Sequence, residues 1–384
     1  MPPTTSTIKP SLSALAHQIN LTDFLFLIAF FFLLIAGNLL QVLGVEDLPS
    51  FENRRLAIKS TINTTGQLIY LPQATDKYLN DHFAQRNRLI HYFYHIRLNV
   101  LKETVFPSVV VGDNDWLYYT DERNMEDFQH SSEFTEKQLS QISKNLESMS
   151  HHLRKNHIHL VVAVAPNKET IYPENVPDYI PRVEGESRLD QLMNYLKANG
   201  KIEVLDLRPA LLSARKAYPV YYRTDTHWNS IGAYYAYQAI MDQIQQTFSQ
   251  VKAKPLQDFN FEPSVWSGDL ANFLTMRNIL FEQTSELTPK FIPRSKTIIQ
   301  NHPNRFEGTR EISDSNLPRA VLIHDSFGLA LIPFLAEHFQ RITNQFAPYS
   351  FQPIPLMSPK LIEEEKPNIV IFIITERYLQ LLLW

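Results

Sequence analysis

Residues Phe134–Pro166 read FTEKQLSQISKNLESMSHHLRKNHIHLVVAVAP. Leu139, Ile142, Leu146, Met149 and Leu153 fall three or four apart, the spacing of one apolar face of an α-helix. From Ile158 the pattern changes to the continuous apolar run IHLVVAVAP, as in a strand covered on both faces. Helix and strand recur downstream as helix Ser187–Ala198, strand Ile202–Leu207 and helices Pro209–Tyr218 and Asn229–Phe248. Strand Arg319–His324, helix Phe327–Phe339 and strand Asn368–Ile374 then follow. The alternation predicts an α/β fold, a mostly parallel sheet with helices on both faces. A Pro- and Asn-rich excursion at 250–316, with room for short strands, interrupts it.

Upstream, VVVGDNDWLYY (Val109–Tyr119) reads as a hairpin, two β-rich runs around a Gly-Asp-Asn-Asp turn. Before it, Phe83, Ile90, Phe93 and Ile96 are set among charges at helical spacing. Phe24–Leu43 carries no charge and is long enough to span a bilayer as a helix. A buried helix is the alternative, but the run is apolar all round, which favours an anchor. Lys9 precedes it and Arg54, Arg55 and Lys59 follow, a balance that says little about orientation when a large domain is translocated. The expected organisation is a flexible tail at 1–23, a transmembrane anchor at 24–45, a helical connecting segment at 46–107 and one main domain at 108–384.

A net charge of −4 gives no basic footprint, which argues against a nucleic-acid partner. With no cysteine, thiol catalysis and disulfides are excluded. The histidines His151, His152 and His157 fall on or near a polar helix face, and no second ligand cluster stands at fixed spacing, so no metal is expected.

Two polar turns carry the chemistry. In YYRTDTHWNS (Tyr221–Ser230), Asp225 and His227 are two apart, so an extended or turning backbone sends both to one side. A carboxylate beside an imidazole fixes the tautomer and stabilises the imidazolium, as a general base requires. In AVLIHDSFG, Ser326 follows a strand and opens a helix, at the sheet edge where ligands bind in such folds. It is either a nucleophile with helix N-terminal N–H groups beside it for an oxyanion, or, with Asp325, a helix cap. Gly328 permits a close backbone turn there. Trp228 is expected to pack against the loop, and Asn229 to cap the next helix.

Four further residues are candidates for binding substrate. Lys168, after a strand end, lines the cleft or the plain surface. Arg377, after the last strand, meets substrate or pairs with an acid. Trp116, like Tyr118, stacks on a sugar or fills the core. Gly328 belongs to the serine turn.

TDTHWN followed by HDSFG resembles the alginate O-acetyltransferase (AlgJ/AlgX-like) family of SGNH hydrolase-like folds, periplasmic enzymes that O-acetylate exopolysaccharides. In that family the Asp-x-His precedes the serine, whereas in ordinary SGNH hydrolases it follows. FENRRLA (Phe51–Ala57), NDHFAQRN (Asn80–Asn87), VGDNDWLYY and APNKETIYPENVP (Ala165–Pro177) extend the likeness over most of residues 50–377. The resemblance implies a Ser326–His227–Asp225 triad and no cofactor. It further implies a polysaccharide acceptor, a membrane-bound O-acyltransferase partner supplying the acetyl donor, and a single-pass protein with its catalytic domain outside the cytoplasm. Water as acceptor would make the same machinery an acetylesterase. A non-catalytic glycan-binding or scaffold subunit of an export complex would leave those residues to packing and capping.

Overall fold

The computed structural model describes residues 21–49, 56–61, 64–299, 307–347 and 357–383. Residues 1–20, most of the expected tail, and residues 51–55 of the FENRRLA motif lie outside them. The chain divides into two compact units, Met1–Leu101 and Lys102–Trp384, so the 46–107 segment is split between them.

In the first unit, helix Leu21–Val42 covers the uncharged run. It bends by 42° between Leu21–Phe32 and Ile35–Val42. Among the described residues no single helix is long and apolar enough to cross a membrane, and only this bent pair meets the length and hydropathy together. The connecting segment forms helices Leu71–His82 and Arg86–His95, which break at Gln85 in a left-handed conformation (φ 61°). Asp47 caps the second one, its carboxylate accepting the N–H groups of Asn87 and Arg88 at 3.0 Å each.

The second unit opens with the expected hairpin, β1 (Val109–Val111) antiparallel to β2 (Leu117–Tyr119). Helix Glu136–Lys155, capped by Thr135, leads into β3 (His159–Ala165). Helix Arg188–Asn199, capped by Ser187, leads into β4 (Val204–Asp206). Helices Arg208–Ala214 and Ser230–Gln245 flank the Asp-x-His turn, with Asn229 accepting the Gly232 N–H at 2.9 Å. The excursion supplies an antiparallel pair, β5 (Phe259–Trp266) and β6 (Glu282–Pro289), then β7 (Lys296–Ile299) and β8 (Gly308–Glu311). The chain ends with β9 (Arg319–His324), β10 (Arg341–Phe346) and β11 (Ile369–Thr375).

The main sheet runs β4-β3-β11-β9-β10-β8-β7. Its first five strands are parallel, but β8 and β7 add antiparallel at one edge, so the sheet is mixed. The two-residue period of the central strands feeds two cores. Val161, Ala163 and Ala165 of β3 with Ile369, Ile371 and Ile373 of β11 pack towards helix Ser230–Gln245. Val162, Val164, Val370, Phe372 and Ile374 pack towards helices Glu136–Lys155 and Arg188–Asn199. Burial on both faces is why these strands read as unbroken apolar runs.

Two expectations need correcting. The segment after Ser326 is three short pieces, 3₁₀ turns Ser326–Leu331 and Ala336–His338 around an α-turn Ile332–Leu335. Pro333 lacks the N–H that a continuous ladder needs, and its ring crowds the preceding turn. Strand β10 was not anticipated, because RITNQF mixes polar residues into its span. It lies where parallel pairing with β9 gives way to antiparallel pairing with β8.

Candidate active site

The carboxyl ends of β3, β11 and β9 are adjacent, and the site is built just beyond them. Tyr221 and Trp228 pair as an isolated antiparallel bridge, closing the Asp-x-His turn between them. Within it, Asp225 Oδ1 accepts the His227 backbone N–H at 3.0 Å and its Nδ1–H at 2.6 Å. Asp225 Oδ2 accepts from Trp266 Nε1 at 3.1 Å and the Asp269 N–H at 3.2 Å. Burial alone would raise the Asp225 pKa, but the His227 charge and these donors hold it well below the usual range. Burial likewise pulls His227 down, and Asp225 outweighs it, leaving the imidazole above its ordinary value of 6.5. An ionised carboxylate only accepts, so the ring proton sits on Nδ1 and Nε2 carries the lone pair. Nε2 is buried with no hydrogen-bond partner among the described residues.

The turn is held from three directions. From below, Lys168 Nζ donates to the carbonyls of Tyr222, Arg223 and Asp225 at 3.3, 3.1 and 2.5 Å. Glu282 of β6 accepts the N–H groups of Arg223 and Thr224 at 2.7 and 2.8 Å. Asp269 accepts the Thr226 N–H and hydroxyl at 2.8 and 2.6 Å. The Trp266–Asp269 segment comes this close only because residue 268 is glycine. A Cβ there would stand 2.4 Å from the Thr224 carbonyl and from Asp225 Cβ.

Ser326 stands two residues past the end of β9, after Asp325, and is half-buried. The cap beside it is Asp325, whose Oδ1 accepts the Phe327 N–H at 2.9 Å. Its Oδ2 takes the N–H and hydroxyl of Thr375 on β11, at 2.8 and 2.6 Å. Capping is thus Asp325's work and leaves the serine hydroxyl out of it. The Phe327 and Gly328 N–H groups are both bonded to Asp325, so neither is free for an oxyanion. Trp228 Nε1 donates to the Phe327 carbonyl at 3.1 Å, and the His227 and Phe327 ring centroids are 4.9 Å apart. These contacts hold the two turns together across the fold. Asp225, His227 and Ser326 line one cavity of about 650 Å³.

The other four candidates are placed differently. Lys168 is 3% exposed, and the carbonyls of the turn take its ammonium. Trp116 is buried against Tyr172, with centroids 4.4 Å apart, and offers no open face to a sugar. Arg377 is buried, paired with Glu122 at 3.3 Å and lying over the Phe327 and Tyr119 rings. Gly328 backs onto His324, whose Cβ would be 2.3 Å from an added Cβ, so its role is close packing. None of these four lines the cavity.

Sequence reasoning missed Trp266, Asp269 and Glu282. They come from the excursion and have no local pattern beyond the glycine at 268. With Asp269 in place, Asp225, His227 and Asp269 each bring one ligand atom within 4.8 Å of the others. These atoms already hydrogen-bond within the turn, so a cation there would have to displace those bonds.

The model of the family described as "SGNH hydrolase-like domain, acetyltransferase AlgX" matches residues 109–373. A probable alginate O-acetylase AlgJ of Azotobacter vinelandii is 30% identical over 182 residues, 46% of this chain and 44% of that protein. The corresponding protein of Pseudomonas syringae pv. tomato is 27% identical over 255 residues, 66% and 61% of the two chains. The chain therefore spans between two fifths and two thirds of the length of these relatives. In fold it is similar to Bacillus cereus PatB1 solved with a sulfonyl adduct, with a TM-score of 0.51 at 19% identity, covering 71% of this chain and 94% of that one. With the family model spanning the hairpin, both polar turns and the parallel strands up to residue 373 of β11, this chain belongs to the SGNH hydrolase-like domain family of the acetyltransferase AlgX.

Proposed function

We propose that this chain is a membrane-anchored, extracytoplasmic O-acetyltransferase that uses Ser326, His227 and Asp225 to acetylate hydroxyls of a cell-surface or exopolysaccharide. One observation carries the reading. Asp225 holds the His227 ring by Nδ1, while Nε2 is left without a partner in a residue sharing its cavity with Ser326.

In the proposed cycle, His227 Nε2 takes the Ser326 proton as Oγ attacks the acetyl carbonyl carbon. The Ser326 N–H stabilises the oxyanion. As the bond to the donor breaks, the imidazolium returns the proton to the leaving atom and acetyl-Ser326 remains. A sugar hydroxyl then gives its proton to His227 and attacks the acetyl carbon. Collapse frees the acetylated sugar, and Ser326 regains its proton. The AlgJ relatives, named as probable alginate O-acetylases, support a polysaccharide acceptor. The apolar helix Leu21–Val42 is the proposed anchor, and a membrane-bound O-acyltransferase the proposed source of the acetyl group.

Intact-protein mass after incubation with a chromogenic acetyl ester tests this reading. A transient gain of one acetyl group is expected, and Ser326→Ala should abolish it. An unchanged adduct in Ser326→Ala sinks the nucleophile assignment. Release that quickens on adding oligosaccharide, with acetyl found on the sugar, separates the transferase from an esterase.

A further inference from the structure

The walls around Ser326 and His227 are mostly apolar, formed by Phe259, Trp266, Leu287, Phe291, Leu329 and Phe334 among others. A cavity of about 650 Å³ is of the size that encloses a drug-sized molecule and offers far more room than a two-carbon acyl group fills. Its polar wall groups are largely committed to one another. The Tyr222 hydroxyl bonds Glu286, and the Trp266 indole bonds Asp225. The Ser230 hydroxyl accepts the Leu287 N–H. The Tyr237 hydroxyl meets His338 and the Lys254 N–H, and Glu337 accepts the N–H groups of Arg294 and Ser295.

A whole sugar enclosed among these apolar walls would bury more hydroxyls than the few uncommitted polar groups can pair, each unpaired one at a desolvation cost. A polyanionic donor gains little either, because the two cations on the wall, Lys254 and Arg310, are equalled in number by the carboxylates Glu286 and Glu337. An apolar chain incurs neither cost and gains by leaving water. We infer that this space is an acyl-chain pocket, and that Ser326 accepts medium-length acyl groups with the chain held among Phe259, Leu287 and Phe334. The inference rests on the serine acyl-transfer reading above and extends it from acetyl to longer donors.

The test is kcat/KM of the full-length protein for p-nitrophenyl acetate, butanoate, octanoate and decanoate, with the Ser326 adduct mass followed in parallel. Each methylene that is fully buried is worth up to about fourfold, so octanoate should exceed acetate by well over tenfold. Ala330, on the same wall, is half-buried, and Ala330→Phe adds bulk there. The variant should cut the octanoate-to-acetate ratio by about tenfold or more. Acetate turnover through Ser326 that declines steadily with chain length overturns the chain pocket and leaves the triad standing. Turnover of no ester, with no adduct on a folded sample, overturns both.

Discussion

A single oxygen of Asp225 takes both the backbone N–H and the ring Nδ1 of His227, at 3.0 and 2.6 Å. The acid therefore fixes the turn and the imidazole together. Its charge holds the His227 pKa above 6.5 against the opposing effect of burial. The base must be neutral to act, so kcat/KM should fall as pH drops, with the midpoint of the acid limb above 6.5. Asp225→Asn removes the charge, so the limb should move to lower pH while the rate falls on the order of 10²–10⁴-fold. A pH–rate profile on both proteins checks this, and a limb that stays in place would separate His227 from Asp225.

Lys168 acts on the turn through its backbone, and its ammonium is the bond partner of three carbonyls. Lys168→Met keeps the stem and leaves the buried Tyr222 and Asp225 carbonyls unpaired, while that of Arg223 keeps the Leu117 N–H at 2.9 Å. The expected loss is about 2–4 kcal/mol by denaturant unfolding, with kcat reduced more than KM is changed. Lys168→Arg should not restore the loss, because a planar fork does not converge on three acceptors as an ammonium does.

Gly268→Ala places a methyl group 2.4 Å from the Thr224 carbonyl and Asp225 Cβ. Trp266 and Asp269 would have to back away from Asp225. The variant should lose about 1–3 kcal/mol of stability, as other overpacked sites do, together with part of its ester turnover. Retained turnover at normal stability would show that these contacts are dispensable.

Glu169 is 1% exposed, and its Oε1 has no partner among the described residues. Burial first, and then the Glu376 carboxylate, push its pKa up from 4.5 to about 8. The fold therefore favours the protonated acid. Its stabilisation is complete below pH 4.5 and is lost as pH rises towards 8. Glu169→Gln should change little near pH 5 and stabilise by more than about 1.4 kcal/mol at pH 9, the value of one pKa unit. Thermal melts at the two pH values decide it.

The elements nearest the site were legible because their signals are local. Strands β3, β9 and β11 are short apolar runs bounded by turns, and the caps Thr135, Ser187 and Asn229 precede their helices by one residue. The acid and base two residues apart in the turn are a local signal too. The breaking of the helix after Ser326 was visible in principle at Pro333, yet the apolar run around it reads as one helix. Lys168 lies neither in the cleft nor on the surface, because a residue after a strand end can also sit beneath a loop and spacing does not distinguish these, whereas Trp116 takes the core alternative.

The sequence by itself determined the α/β alternation, the doubly buried central strands and the Asp225–His227 pairing. Each depends on residues within a few positions of one another, where backbone geometry fixes which side chains share a face. The tertiary structure alone decided that the capping Asp325 also ties the serine turn to β11, since Thr375 is 50 residues away. It alone put Lys168 beneath the Asp-x-His turn and brought Trp266, Asp269 and Glu282 onto it. What a polar side chain does depends on the groups packed against it once water is excluded, and here those groups come from distant parts of the chain.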